Sequence, residues 1–123
     1  MKAGKIKEIL NASILTGDEY LDKEVKYAFS SDLMSDVLAF VDQDTVLLTG
    51  LNNPQVIRTA EMIDLTTVVF VRGKIPTKEV LNLAKSSAMI IMCTNDTMYT
   101  ASGKLYSSGL EGLKIKRGVN QNE

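Results

Sequence analysis

Residues 45–73, TVLLTGLNNPQVIRTAEMIDLTTVVFVRG, contain two short, continuous apolar runs separated by an amphipathic segment. Unbroken apolar runs of this length read as strands buried on both faces, the signature of a parallel sheet. Between them Asn53 stands as helix N-cap with Pro54 at the first helical position, so NNPQVIRTAEMID reads as a helix. The rhythm continues: PTKEVLNLAKSS predicts a helix starting near Pro76 and Thr77, and AMIIMCT predicts a third buried strand. Strand, helix, strand, helix, strand with short connections predicts a parallel sheet wound by right-handed crossovers.

On the N-terminal side, Val25, Tyr27 and Phe29 alternate with more polar positions, the period of a strand. This strand runs into AFSSDLMSDVL, Ala28 to Leu38, where three serines and two aspartates fall within seven positions. From Leu33 the apolar residues Leu33, Met34, Val37, Leu38 and Val41 recur at helical intervals. Ser31 or Asp32 then occupies the N-cap position, and Asp36 lies where the helix dipole favours negative charge. Lys2 to Leu10 predicts a short amphipathic helix and SILTGD a strand ending at a Gly17-Asp18 turn. Thr94 or Asp96 is placed to cap a last helix through Leu105 or Tyr106, ending near Gly109. The tail LEGLKIKRGVNQNE reads as an edge strand or a flexible end. The expectation is one three-layer α/β/α domain with a mainly parallel sheet over residues 1–117, followed by a flexible tail over 118–123.

Composition bounds the function. At 123 residues there is room for one core, and the 45% hydrophobic and 24% charged fractions are those of a globular domain. A net charge of −1 argues against nucleic-acid binding through a general positive field. The absence of histidine removes the commonest general base and zinc ligand. Cys93, the single cysteine, reads as an inert thiol at a strand end and suits a reducing compartment. With no run of 18 apolar residues and no signal-type segment, the expected setting is cytoplasmic with no membrane contact.

In open α/β sheets ligands favour the carboxyl ends of strands. Three loops therefore matter: Thr49 to Asn53, Arg72 to Lys74, and Thr94 to Thr97. Thr49, Gly50, Asn52 and Asn53 with Arg72, Gly73 and Lys74 form a candidate ligand site, in which glycine turns and helix N-termini offer amides to an anion and two cations add charge. No phosphate-loop or dinucleotide glycine motif occurs, and neither a metal nor a cofactor is implied. A catalytic alternative uses Ser30, Asp32 and Lys74.

The order of elements, together with GDEYLDKEVKYAFSSDLMSDVL, LLTGLNNPQVIRTAEMIDLTTVVFVRGKIPTKEVLNLAKSSAMIIM and TMYTASGKLYSSGL, resembles a stand-alone DRTGG domain from about Ile6 to Leu110. Domains of this family occur in phosphotransacetylases and in pyrophosphatases that carry CBS domains, and are similar in fold to the N-terminal domain of HPr kinase. Where the family pattern places Gly-Asp-Arg this chain has Gly50-Leu51-Asn52, and where it places Thr-Gly-Gly it has Arg72-Gly73-Lys74. The resemblance implies an accessory, non-catalytic module that takes part in subunit contacts. A regulatory or assembly subunit follows, expected to be a homodimer sensing a small anionic metabolite or nucleotide, with a metabolic enzyme or kinase as the class of partner. A pure protein–protein interaction subunit without a small ligand is the alternative. The last helix, with Met98, Tyr99, Leu105 and Tyr106, and the Leu33 to Val41 helix are the candidate dimer surfaces.

Overall fold

The computed structural model describes residues 1–115. Six strands form one sheet in the order β1-β5-β4-β3-β2-β6. They are β1 (Ser13–Thr16), β2 (Tyr27–Ser30), β3 (Thr45–Thr49), β4 (Thr67–Phe70), β5 (Ile90–Cys93) and β6 (Glu111–Gly112). Five helices cover them: α1 (Ala3–Leu10), α2 (Met34–Phe40), α3 (Pro54–Met62), α4 (Lys78–Ser86) and α5 (Met98–Ser107). Every pairing is parallel except that of β1 with β5. The expected three-layer α/β/α architecture is therefore present. The flexible tail expected over 118–123 lies outside the described residues.

Alternation along the central strands sorts the core into two layers. Val46, Leu48, Val69, Val71, Ile90 and Met92 face α1 and α5, whereas Leu47, Val68, Phe70 and Ile91 face α2, α3 and α4. All these residues are fully buried. The chain steps β2, β3, β4, β5 across the sheet with α2, α3 and α4 on one face. It then reverses along α5 on the other face to add β6 beyond β2. Changing face as the direction reverses keeps each crossover right-handed.

The helix starts of the central unit follow local chemistry. Asn53 accepts a hydrogen bond from the Gln55 N–H at 3.1 Å with Pro54 in the first turn, and Thr77 accepts from the Val80 N–H. Two expected caps are corrected. The first residue before α2 is Leu33, which makes no side-chain cap bond. Ser31 Oγ accepts the Leu33 N–H at 3.0 Å to close the preceding turn, and Asp32 points away to the end of β3. Thr97, not Thr94 or Asp96, caps α5 by accepting from the Thr100 N–H. Thr94 Oγ1 instead donates to the Leu10 carbonyl at 2.9 Å, and Asp96 Oδ2 pairs with Lys104 Nζ at 2.8 Å.

Two strand details also differ. Val25 is buried but precedes β2, and Ala28 is no more exposed in class than Tyr27 and Phe29, because α5 covers one face of this strand and α2 the other. The C-terminal edge strand forms at Glu111–Gly112, just before the alternating stretch that begins at Leu113, with the Leu113 N–H donating to the Ala28 carbonyl; Lys116 lies outside the described residues.

Candidate functional site

The ends of β2, β3, β4 and β5 lie side by side at the carboxyl edge of the sheet. The connection after β4 leads to α4 on one face and that after β5 to α5 on the other. The strand ends beside such a divergence are the usual ligand position in open α/β sheets. Arg72 to Lys74 and Thr94 to Thr97 border it. The Arg72 N–H donates to the Asp96 carbonyl and the Gly73 N–H to the Thr94 carbonyl, each at 2.8 Å, tying the two loops together. This needs two successive residues with positive φ, Arg72 at 63° and Gly73 at 66°. The left-handed region is natural for Gly73 and disfavoured for Arg72. Arg72 is consequently held in that conformation by its tertiary hydrogen bond.

The Gly50 peptide is gripped from both neighbouring loops. On the β2 side, Asp32 Oδ1 accepts the Gly50 N–H at 2.7 Å and the Thr49 hydroxyl at 3.0 Å. On the β4 side, Arg72 Nη2 donates to the Gly50 carbonyl at 3.5 Å, the long limit for such a bond. A Cβ on Gly50 would fall 2.5 Å from Arg72 Nη1 and 2.8 Å from Cζ. Glycine here lets the guanidinium lie against the main chain. Arg72 and Lys74 are exposed and, among the described residues, form no ion pair with a carboxylate.

The structure thus brings Thr49, Gly50, Arg72, Gly73 and Lys74 to one edge, with Asn52 and Asn53 continuing the Gly50 loop into α3. The amide cradle expected after β3 is largely used up internally. Asp32 holds the Gly50 N–H, Thr49 Oγ1 accepts the Leu51 N–H at 3.2 Å, and Asn53 caps Gln55. On the β4 side the N–H groups of Arg72, Gly73 and Lys74 are all bonded to carbonyls. The binding capacity left at this edge resides in the Arg72 guanidinium, the Lys74 ammonium and, on the β3 side, the side-chain amides of Asn52 and Asn53 and their backbone N–H groups, unbonded among the described residues.

Asp32 is the residue that the sequence placed in a different role. Its carboxylate is set at this edge by a long-range bond that no local pattern announces. Ser30, Asp32 and Lys74 do not assemble as a nucleophile with its base, since Ser30 Oγ pairs with Ser102 Oγ at 2.7 Å and Asp32 with Thr49 and Gly50. Cys93 donates its thiol to the Lys74 carbonyl at 3.1 Å, and burial pushes its pKa up. Among the described residues no group of three His, Cys, Asp or Glu side chains could hold a metal ion, and no helix is long and apolar enough to cross a membrane.

Comparison with known proteins adds two findings. The sequence profile of the DRTGG domain matches residues 5–108. Among solved structures, the CBS and DRTGG domains of the regulatory region of Clostridium perfringens pyrophosphatase, complexed with the activator diadenosine tetraphosphate, superpose with a TM-score of 0.70 at 17% sequence identity. That match covers 97% of this chain and 51% of the other, so the present chain spans about half the length of that structure. At this identity the likeness concerns the fold. No curated protein sequence matches.

Proposed function

The chain belongs to the DRTGG domain family, and from that premise we propose that it is a non-catalytic regulatory or assembly module whose carboxyl edge takes a small anionic ligand. The observation that carries the reading is the exposed pair Arg72 and Lys74 at the carboxyl end of β4, with the Arg72 backbone fixed by the Asp96 carbonyl. A planar guanidinium can hold two oxygens of one phosphate or carboxylate, and Lys74 adds a point charge. The regulatory setting is supported by the solved relative, a regulatory region complexed with a nucleotide activator.

Replacing Arg72 with alanine is expected to weaken anion binding about tenfold or more, the effect of removing a charge-assisted contact, while the melting temperature stays within a few degrees. Calorimetric titration with inorganic phosphate, acetyl phosphate and nucleotides tests this. Equal affinity in wild type and R72A would refute the site. The internal use of the loop amides favours a second reading, a protein–protein interaction subunit with no small ligand; that reading is the correct one if none of these compounds binds wild type.

The same module is proposed to be a homodimer. Tyr99 and Tyr106 on α5 are 88% and 74% exposed, two turns apart on one face, whereas Leu105 is buried and Met98 packs partly against the core. Beside them a groove of about 560 Å³ is lined by Ala28, Leu110 and Gly112 as well as the tyrosines. A two-fold contact would bury this one face on both copies. At α2 the corresponding exposed residues are Leu38 and Phe40 on the helix and Leu33 just before it, flanking buried Val37. Light scattering is expected to show a dimer at micromolar concentration and a monomer for Y99E/Y106E. A monomeric wild type at high micromolar concentration contradicts the dimer, and loss of the dimer on Leu38→Glu alone moves it to α2.

A further inference from the structure

Asp32 stands opposite Arg72 across the Gly50 peptide. Its Oδ1 is fixed by two donors, Gly50 N–H and the Thr49 hydroxyl. Its Oδ2 has no hydrogen-bond or ion-pair partner among the described residues, and the side chain lies at an exposed position. Carboxylate and guanidinium do not approach within ion-pair distance of each other. They project from β2 and β4, which flank β3, so the two strand ends stand roughly 10 Å apart, twice the spacing of neighbouring strands. The edge therefore presents a fixed acceptor on one side of Gly50 and the Arg72 guanidinium on the other, with Lys74 two residues further along the same loop.

A bare anion uses only half of this arrangement, and the fixed negative charge of Asp32 works against it. A ligand with an anionic group at one end and hydroxyl donors at the other uses both halves. A carboxylate at the end of a strand beside a glycine-bearing loop is well suited to accept from vicinal sugar hydroxyls. We propose that this edge selects a phosphorylated polyol: its phosphate lies on Arg72 and Lys74, and its hydroxyls donate to Asp32 Oδ2. The proposal rests on the reading of Arg72 and Lys74 as the anion anchor and names the ligand class for that same site. Thr49, by donating to Oδ1, orients the carboxylate and leaves the second oxygen for the ligand.

The test is calorimetric titration of the full chain with inorganic phosphate, ribose 5-phosphate, 2-deoxyribose 5-phosphate and AMP. Ribose 5-phosphate is expected to bind wild type about tenfold more tightly than inorganic phosphate, the factor contributed by a hydrogen bond to a charged group. Its 2-deoxy analogue is expected to fall between the two. Asp32→Asn retains an acceptor for Gly50 and Thr49, so it should fold like wild type by melting temperature. In this variant the preference for ribose 5-phosphate should shrink to about twofold, with inorganic phosphate bound as well as before or better. A further gain for AMP over ribose 5-phosphate assigns a nucleotide, and equality assigns a sugar phosphate. If phosphate binds through Arg72 but ribose 5-phosphate binds no better, or if D32N keeps the preference, the polyol proposal is wrong and the anion site stands. If no compound binds wild type, both fall.

Discussion

Phe70→Ala is expected to lower stability by about 3–5 kcal/mol, the range for removing a fully buried phenylalanine. Phe70 ends the central strand β4 and is completely buried in the layer beneath α3 and α4. Its neighbours Thr49 on β3 and Cys93 on β5 are held in register by parallel ladders, so the sheet cannot close in around the lost ring. For a chain of this size the loss corresponds to a drop in melting temperature of roughly 10–20 °C. Thermal unfolding followed by circular dichroism measures it. A drop of less than about 5 °C would mean that this layer repacks, contrary to a core of interlocked strands.

Gly17→Ala is expected to cost more than about 2 kcal/mol by combining a backbone clash with a disfavoured dihedral. Gly17 has φ of 82°, and a Cβ there would lie 2.5 Å from the Met89 carbonyl oxygen and 2.7 Å from Ile90 Cα. Both are main-chain atoms at the start of β5, so no rotamer change relieves the contact. The adjacent Thr16 hydroxyl donates to that same Met89 carbonyl at 2.8 Å, and relief of the clash would pull β1 off the sheet edge. Gly103→Ala is the control. It lies inside α5 with no atom beyond its chain neighbours and its own helix backbone within 4 Å of an added Cβ. Measured on the Y99E/Y106E background, because Gly103 lines the proposed dimer groove, the change should stabilise by about 0.5–1 kcal/mol. Denaturant melts of the two variants should therefore shift in opposite directions; a neutral Gly17→Ala would show that the β1 edge is not constrained as described.

The candidate edge was legible in the sequence only in part. Glycines at 50 and 73 and cations at 72 and 74 could be placed at strand ends from the sequence, because strand ends are marked by where apolar runs stop. The structure puts Gly50 and Arg72 in contact. The role of Asp32 was hidden. In isolation an aspartate just before a helix serves its own N-terminus, a stabilisation of about 1 kcal/mol. A buried N–H at the end of the neighbouring strand offers its carboxylate a charge-assisted bond of roughly 1.5–3 kcal/mol. Only the parallel pairing of β2 with β3 brings that N–H within reach, and the helix then starts uncapped. The expected amide cradle is reduced partly for the same reason: the Gly50 amide is taken by Asp32, while the Leu51 amide is closed locally by Thr49 and those of Asn52 and Asn53 stay unbonded among the described residues.

Sequence alone determined the order of strands and helices, the parallel central sheet, the Asn53–Pro54 helix start and the division of each central strand between two core layers. These follow from local chemistry and from periodicity, since a strand buried on both faces must be apolar throughout and a helix must present one apolar stripe. Tertiary structure decided that β1 joins antiparallel beyond β5, that β6 returns beside β2, that Arg72 adopts a left-handed backbone, and that Asp32 and Arg72 both bond Gly50. Each of these is a hydrogen bond or a pairing between residues far apart in the chain. Its free energy exists only after the sheet has closed, and so it leaves no mark in the local pattern of the residues that make it.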